Sequence, residues 1–223
     1  MLRITGPAVL ILAASLGNVR EASAQSDPDR SVAGGGTMPA GWHARTDGNR
    51  PMANVKFAPM GVGNHVTLGP AAIFWRDADT ASGSYTIEAK VWQFPSDTHR
   101  DHREGFGLFI GGRDLSGAGQ RYTYFLIRDD GMFLVKRRQG DSTWTVQQWT
   151  ASPAIVNPAP SAADSSSTEN TLAVRVGSAG VSFLVNGQEV YKGTAADLAP
   201  GGVFGFRMNH NLNVHLGPLA KTQ

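Results

Sequence analysis

The sequence predicts an all-β protein, an antiparallel β-sandwich, on three observations. Apolar and polar side chains alternate with a period of two in run after run, as along Tyr85, Ile87, Ala89 and Val91 against Thr86, Glu88 and Lys90. Turn pairs that supply a positive φ, Asp130-Gly131 and Asn186-Gly187, sit between such runs at hairpin spacing. Beyond the amino-terminal segment no amphipathic stretch reaches helical length, and 27 Gly with 12 Pro in 223 residues is the balance of many short strands. About ten or more strands at this spacing make two packed sheets, in an order that suggests a jelly roll.

The elements follow in order. Met1-Leu2-Arg3 is a short positive region, Ala8 to Leu16 an apolar run too short to span a bilayer, and Ala22-Ser23-Ala24 a small-residue cleavage site. Residues 1–24 therefore read as a signal peptide cleaved before Gln25, residues 25–39 as a flexible leader off the fold, and residues 40–223 as the sandwich domain. The protein is expected to be secreted or periplasmic. Trp42 to Phe57, with its Asp, Gly, Asn and Pro, reads as an irregular lead-in. Val66 to Leu68 and Ala71 to Trp75 are short strands around Gly69-Pro70, and Ser84 to Phe94 is the clearest strand of all. On that strand Trp92 and Phe94 interrupt the polar face, so something covers or binds there.

From Glu104 to Arg138 three strands follow one another, with apolar groups on both faces of the first two, which makes them central in a sheet. Thr143 to Thr150 is a further strand. Ala151 to Glu169, with three prolines and a triple serine, is the longest connection. Strands around Leu172, Val181, Glu189, Gly202 and Leu212 complete the chain.

Composition excludes several functions. There is no cysteine, hence no disulfide, thiolate nucleophile or thiolate metal site. A formal charge of +2 with scattered basic residues gives no patch for nucleic acid, and Lys136-Arg137-Arg138 reads as a solvated strand end. Nucleophile elbows, phosphate-binding loops, zinc-protease pairs and dinucleotide fingerprints are absent from the sequence.

The carboxyl-terminal third carries a more specific pattern, in which a strand ends in Val185-Asn186-Gly187 and a Gly202-x-x-Gly205-x-Arg207 strand follows. This resembles the concanavalin A-like lectin and glucanase group, in particular laminin-G-like and 3-keto-disaccharide-hydrolase-like domains of exported bacterial proteins. The likeness extends back to about Ile73. It implies a curved sandwich whose concave sheet meets carbohydrate, with Arg207 among the residues in contact. The paired acids of the group's glucanases, Glu-x-Asp-x-x-Glu on one strand, are missing, which argues against two-carboxylate glycoside hydrolysis.

Candidate chemistry falls in a few places. Tyr122 and Tyr124, with Arg128 in the same parity, put phenols and a guanidinium on one side of a strand, and Trp75 or Trp92 would supply a platform on which a sugar stacks. His210, between Asn209 and Asn211, joins them as a polar contact. His102 and Glu104 project to one side of an extended chain and form the candidate acid–base pair, should the chain be a hydrolase or lyase on 3-keto-glycosides. No obligatory cofactor is expected; Asp77 and Asp79, with Asp129 and Asp130, are the carboxylates that could offer calcium its oxygen ligands. The expected partner is a carbohydrate or envelope glycan, with no nucleic acid, no membrane span and a monomeric state. A non-catalytic envelope interaction module is the third reading.

Overall fold

A computed structural model describes residues 28–94, 103–158 and 167–223. Its strands form two antiparallel sheets packed face to face. The seven-stranded sheet contains β1 (His43–Thr46), β4 (Ala72–Ala81), β6 (Phe106–Arg113), β7 (Arg121–Ile127), β8 (Met132–Gln139), β9 (Ser142–Ala151) and β13 (Gly202–Met208). Their order across the sheet is β1-β4-β13-β6-β7-β8-β9. The second sheet runs β12-β11-β10-β5-β14-β3-β2, built from β2 (Val55–Met60), β3 (Gly63–Leu68), β5 (Tyr85–Gln93), β10 (Thr168–Gly177), β11 (Gly180–Val185), β12 (Gln188–Gly193) and β14 (Asn213–Leu216). A last short strand, β15 (Ala220–Thr222), also pairs with β5. The expected all-β sandwich is what the chain adopts, and the two strands read as central, β6 and β7, lie side by side within the seven-stranded sheet with β8 next to them.

Alternation decides which side chains enter the core. Phe74, Phe106, Leu108, Phe125, Phe133 and Phe206 from the first sheet meet Ile87, Val174 and Phe183 from the second, all at most 3% exposed. The Phe125 and Phe183 rings lie 5.2 Å apart across the interface, and Trp42, Phe57 and Phe74 stack in sequence at 5.0 and 4.8 Å. Hairpins close the register where the turn residues demand it: Asn186 and Gly187 have φ of 50° and 79°, the left-handed pair that a two-residue turn between β11 and β12 requires.

Two stretches differ from their reading in the sequence. The lead-in is ordered into β1, two single turns and β2, because Arg45, Ala44 and His43 pair with β4 and Val55 and Phe57 enter the core. Residues 28–39, expected to lie off the sandwich, are laid along it. The Arg30 side chain donates to the carbonyls of Leu68 (3.1 Å) and Leu212, its amide donates to Asn211 Oδ1, and Gly36 N donates to Val55 O. Those carbonyls lie where β3 and β14 give way to loops, and Leu212 O, which already accepts from Leu68 N, takes Arg30 as a second donor. Residues 1–27, including the expected signal peptide, lie outside the described residues.

Candidate functional site

The seven-stranded sheet has a second apolar layer on its outer face. Ile73, Trp75, Phe109, Tyr122, Tyr124, Leu126 and Leu134, the alternate residues to those in the core, pack together there with Leu115 from the loop after β6. Of the residues singled out in the sequence, Trp75, Tyr122, Tyr124 and Arg207 come together on this face, at 3–5% exposure. Their burial has a specific cause. Asp47, which opens a single turn after β1, places its carboxylate over the face and accepts from both terminal nitrogens of Arg207, at 2.7 Å each. Arg138 of β8 reaches the same carboxylate at 2.8 Å.

Local sequence explains the geometry. The Asp47 amide donates to Ala71 O, Thr46 Oγ1 donates to Arg50 O, and Gly48 takes a φ of 62°, so the turn is pinned to the end of β4. Gly107, the β6 residue opposite Arg207, carries no side chain to come between that arginine and Tyr124, and the guanidinium carbon lies 5.5 Å from the Tyr124 ring centroid. Arg45 donates to the carbonyls of Leu115 and Gly117 and straps the β6–β7 loop against the same face.

The electrostatics follow from two guanidiniums and one carboxylate in a dry place. Burial alone would push the Asp47 carboxyl up, but the charges and hydrogen bonds of Arg207 and Arg138 outweigh it and hold it below the usual range. Burial opposes the charge on Arg207, yet Tyr122 and Asp47 raise its pKa overall. Desolvation pushes the Tyr124 phenol up to about 12 and raises Tyr122 as well, so both remain neutral. The Asp47 side chain keeps 34% of its surface in water, which makes it the polar opening of an otherwise sealed face. Beside it, His43 stacks on Trp75 at 5.5 Å and pairs with Asp77 at 3.2 Å.

The remaining candidates lie elsewhere. Trp92 belongs to the other sheet, where it packs on His215 at 5.1 Å and Phe94 meets His65, so neighbouring histidines cover the interruption in that strand's polar face. Arg128 sits in the β7–β8 turn, paired with Asp130 and stacked 4.4 Å over Trp149. His102 lies outside the described residues. Glu104 Oε1 lies 2.7 Å from His210 Nε2, and His210 Nδ1 lies 3.5 Å from Asp29, a carboxylate–imidazole–carboxylate row. Asp79 pairs with Arg76 and Asp129 with Arg103, so the four carboxylates considered for calcium are each engaged by a different neighbour. Among the described residues no group of three or more His, Asp or Glu could hold a metal. Arg138 corrects the reading of Lys136-Arg137-Arg138 as a solvated run: it is 7% exposed because Asp47 neutralises it.

Asp47 went unnoticed in the sequence. It stands in a Gly- and Asn-rich turn with no periodicity, and such a turn residue normally serves only its own backbone. Arg207 gave the available signal, since a cation between the buried Phe206 and Met208 of a central strand needs a partner.

The architecture is an antiparallel β-sandwich of two sheets. No family model and no curated protein matches the chain. Among solved structures it is similar to the exoplasmic/lumenal domain of VIP36 in its Ca2+/Man-bound form, with a TM-score of 0.55, 10% identity and 84% of each chain covered. A protein of unknown function with a galectin-like fold from Bacillus subtilis gives 0.54 at 13% identity, covering 82% of this chain and 89% of that one. The carbohydrate-binding module CBM66 from Bacillus subtilis gives 0.51 at 9% identity, covering 82% and 96%. At these identities the likeness is one of fold.

Proposed function

We propose that this chain is an exported glycan-binding domain that holds sugar at the Asp47 opening of the seven-stranded sheet. The observation that carries the reading is a carboxylate locked by two arginines yet one-third exposed, on a lectin-type sandwich. A sugar hydroxyl needs an acceptor whose orientation is already set, and Asp47 loses no rotamer freedom on binding because Arg207 and Arg138 have fixed it. Trp75, Tyr122, Tyr124 and Arg207 are then the rigid floor of the site. His43, half exposed over Trp75, is the ring available to a sugar face. Export is supported by the amino-terminal charge, apolar run and small-residue site, and sequencing of the exported chain should begin at Gln25.

A glycan array followed by titration calorimetry tests the reading. The wild-type chain should bind an oligosaccharide, and Asp47→Ala and His43→Ala should each weaken it at least tenfold; affinity that survives both changes rules out this site. A second reading, hydrolase or lyase action on 3-keto-glycosides, rests on the Glu104–His210 pair, whose 2.7 Å contact is within reach for proton transfer, with Asp29 3.5 Å from the other ring nitrogen. Product analysis of a 3-keto-glycoside incubated with wild type and His210→Ala decides it: turnover lost in the variant supports the reading, and no turnover by wild type ends it.

A further inference from the structure

At one end of the seven-stranded sheet lies a cleft of about 220 Å³, lined by Arg113, Arg121, Arg137, Gln139 and Trp144 and floored by Thr123. Arg113 of β6 and Arg121 of β7 are direct cross-strand partners, Arg121 is opposite Gln139 on β8, and Arg137 is opposite Trp144 on β9. Four adjacent strands therefore bring three guanidiniums and one indole to a single place. Arg113 and Arg121 are exposed, Arg137 is partly buried, and Trp144 is 51% exposed. No acidic residue lines the cleft, and among the described residues none of the three arginines makes an ion pair. Arg113 donates to the Gly201 carbonyl at 3.4 Å.

Like charges placed directly opposite on neighbouring strands repel and destabilise the pairing. The arrangement is therefore unfavourable for a free protein and favourable once an anion enters. A guanidinium presents its donors as a planar fork that matches the two or three oxygens of a carboxylate or sulfate. An exposed indole beside such forks offers a face to the C–H side of a sugar ring. The cleft is smaller than the roughly 300–1,000 Å³ of common small-molecule sites, which suits a single charged ring of a longer chain. A nucleic-acid backbone would need basic residues tracking along a surface, and the formal charge of the whole chain is only +2.

We infer that this cleft is a subsite for an acidic saccharide, a sugar residue bearing a carboxylate or a sulfate ester, with Arg113, Arg121 and Arg137 holding the anion and Trp144 the ring. The inference rests on the glycan-binding reading and adds the substrate class to it. Tyr122 and Arg138 also border the cleft, but the register sends their side chains to the face opposite Arg121 and Arg137, so the anion subsite is separate from the Asp47 opening.

The test is titration of the full chain with a tetragalacturonate, a sulfated dextran oligosaccharide and a neutral dextran oligosaccharide of matched length, with polyadenylate as a non-sugar polyanion. Either the carboxylate or the sulfate probe should bind at least tenfold tighter than the neutral one, and the two arms tell which anion is preferred. That advantage should shrink severalfold between low and physiological salt, because the forks are partly exposed. Arg121→Ala with Arg137→Ala should abolish it, and Trp144→Ala should weaken acidic sugar at least fivefold while leaving polyadenylate unaffected. Neutral-glycan binding lost in Asp47→Ala but with no preference for acidic probes overturns the inference and leaves the glycan reading standing. Equal binding of polyadenylate and acidic sugar, indifferent to Trp144→Ala, marks an unspecific basic patch and also overturns it.

Discussion

Replacing Asp47 by Asn removes one charge and almost no volume, and it leaves two guanidiniums, on side chains only 5–6% exposed, facing a neutral amide. Breaking a buried pair by removing one partner costs about 3–5 kcal/mol, since the remaining charge has no counter-ion and little water. Asp47 is itself 34% exposed, so solvent screens part of the loss, which brings the expected destabilisation to roughly 2–3 kcal/mol. For a domain of this size each kcal/mol moves the melting temperature by about 2–4 °C, which gives a fall of about 4–12 °C. Thermal unfolding followed by circular dichroism measures it, with urea midpoints shifting at constant slope. The pH dependence carries a separate signature. The folded carboxyl protonates at a lower pH than the unfolded one, whose ordinary value is 3.8, so in that acidic window the unfolded chain binds more protons. Stability from Asp47 is then fully present above the unfolded value and is lost as pH falls through the folded one. In Asp47→Asn this part of the acid limb should disappear. The control is Asp141→Asn, 3.7 Å from Arg138 but 93% exposed, which should melt with the wild type. Equal melting of the two variants, or an unchanged acid limb in Asp47→Asn, would refute the reasoning.

Two further outcomes are expected. Asn170, 3% exposed, bonds both the amide and the carbonyl of Val156 and accepts from Asn186; Asn170→Ala strands these groups and should cost about 1–3 kcal/mol in urea unfolding, against no change if the segment before residue 158 is held by other contacts. Arg30→Met should raise amide hydrogen exchange at Arg30, Val32 and Gly36, whose donors are tied to Asn211, Asn54 and Val55, while β6 and β7 keep their protection. Unchanged exchange at those three amides would mean that Arg30 does not hold the strap.

What the sequence determined by itself is the part of the molecule set by near neighbours. A strand announces itself over four to eight residues, because successive side chains point to opposite faces, and β5, β7, β10 and β11 are legible in that way. Asn186-Gly187 is equally local, since the positive φ that the turn needs belongs to those two residues. Trp75, Tyr122, Tyr124 and Arg207 stood among the ligand candidates, but so did Trp92, Arg128 and His210, which the fold places elsewhere. Whether the first four face solvent is another matter, and only the tertiary structure decided it. Asp47 covers them from 160 residues away from Arg207 in the chain, through a turn with no periodic signal. The same holds for Arg137 and Arg138. They are adjacent in sequence, yet one lines an arginine cleft and the other is buried against a carboxylate, since opposite parity sends each to a different face of the sheet. Arg30 looked like part of a loose leader because its partners are backbone carbonyls at Leu68 and Leu212, and every residue type carries a backbone carbonyl, so nothing in the sequence marks those two. Periodicity reports which face a side chain takes; what lies on that face is set by contacts between distant segments, and those exist only once the two sheets have closed.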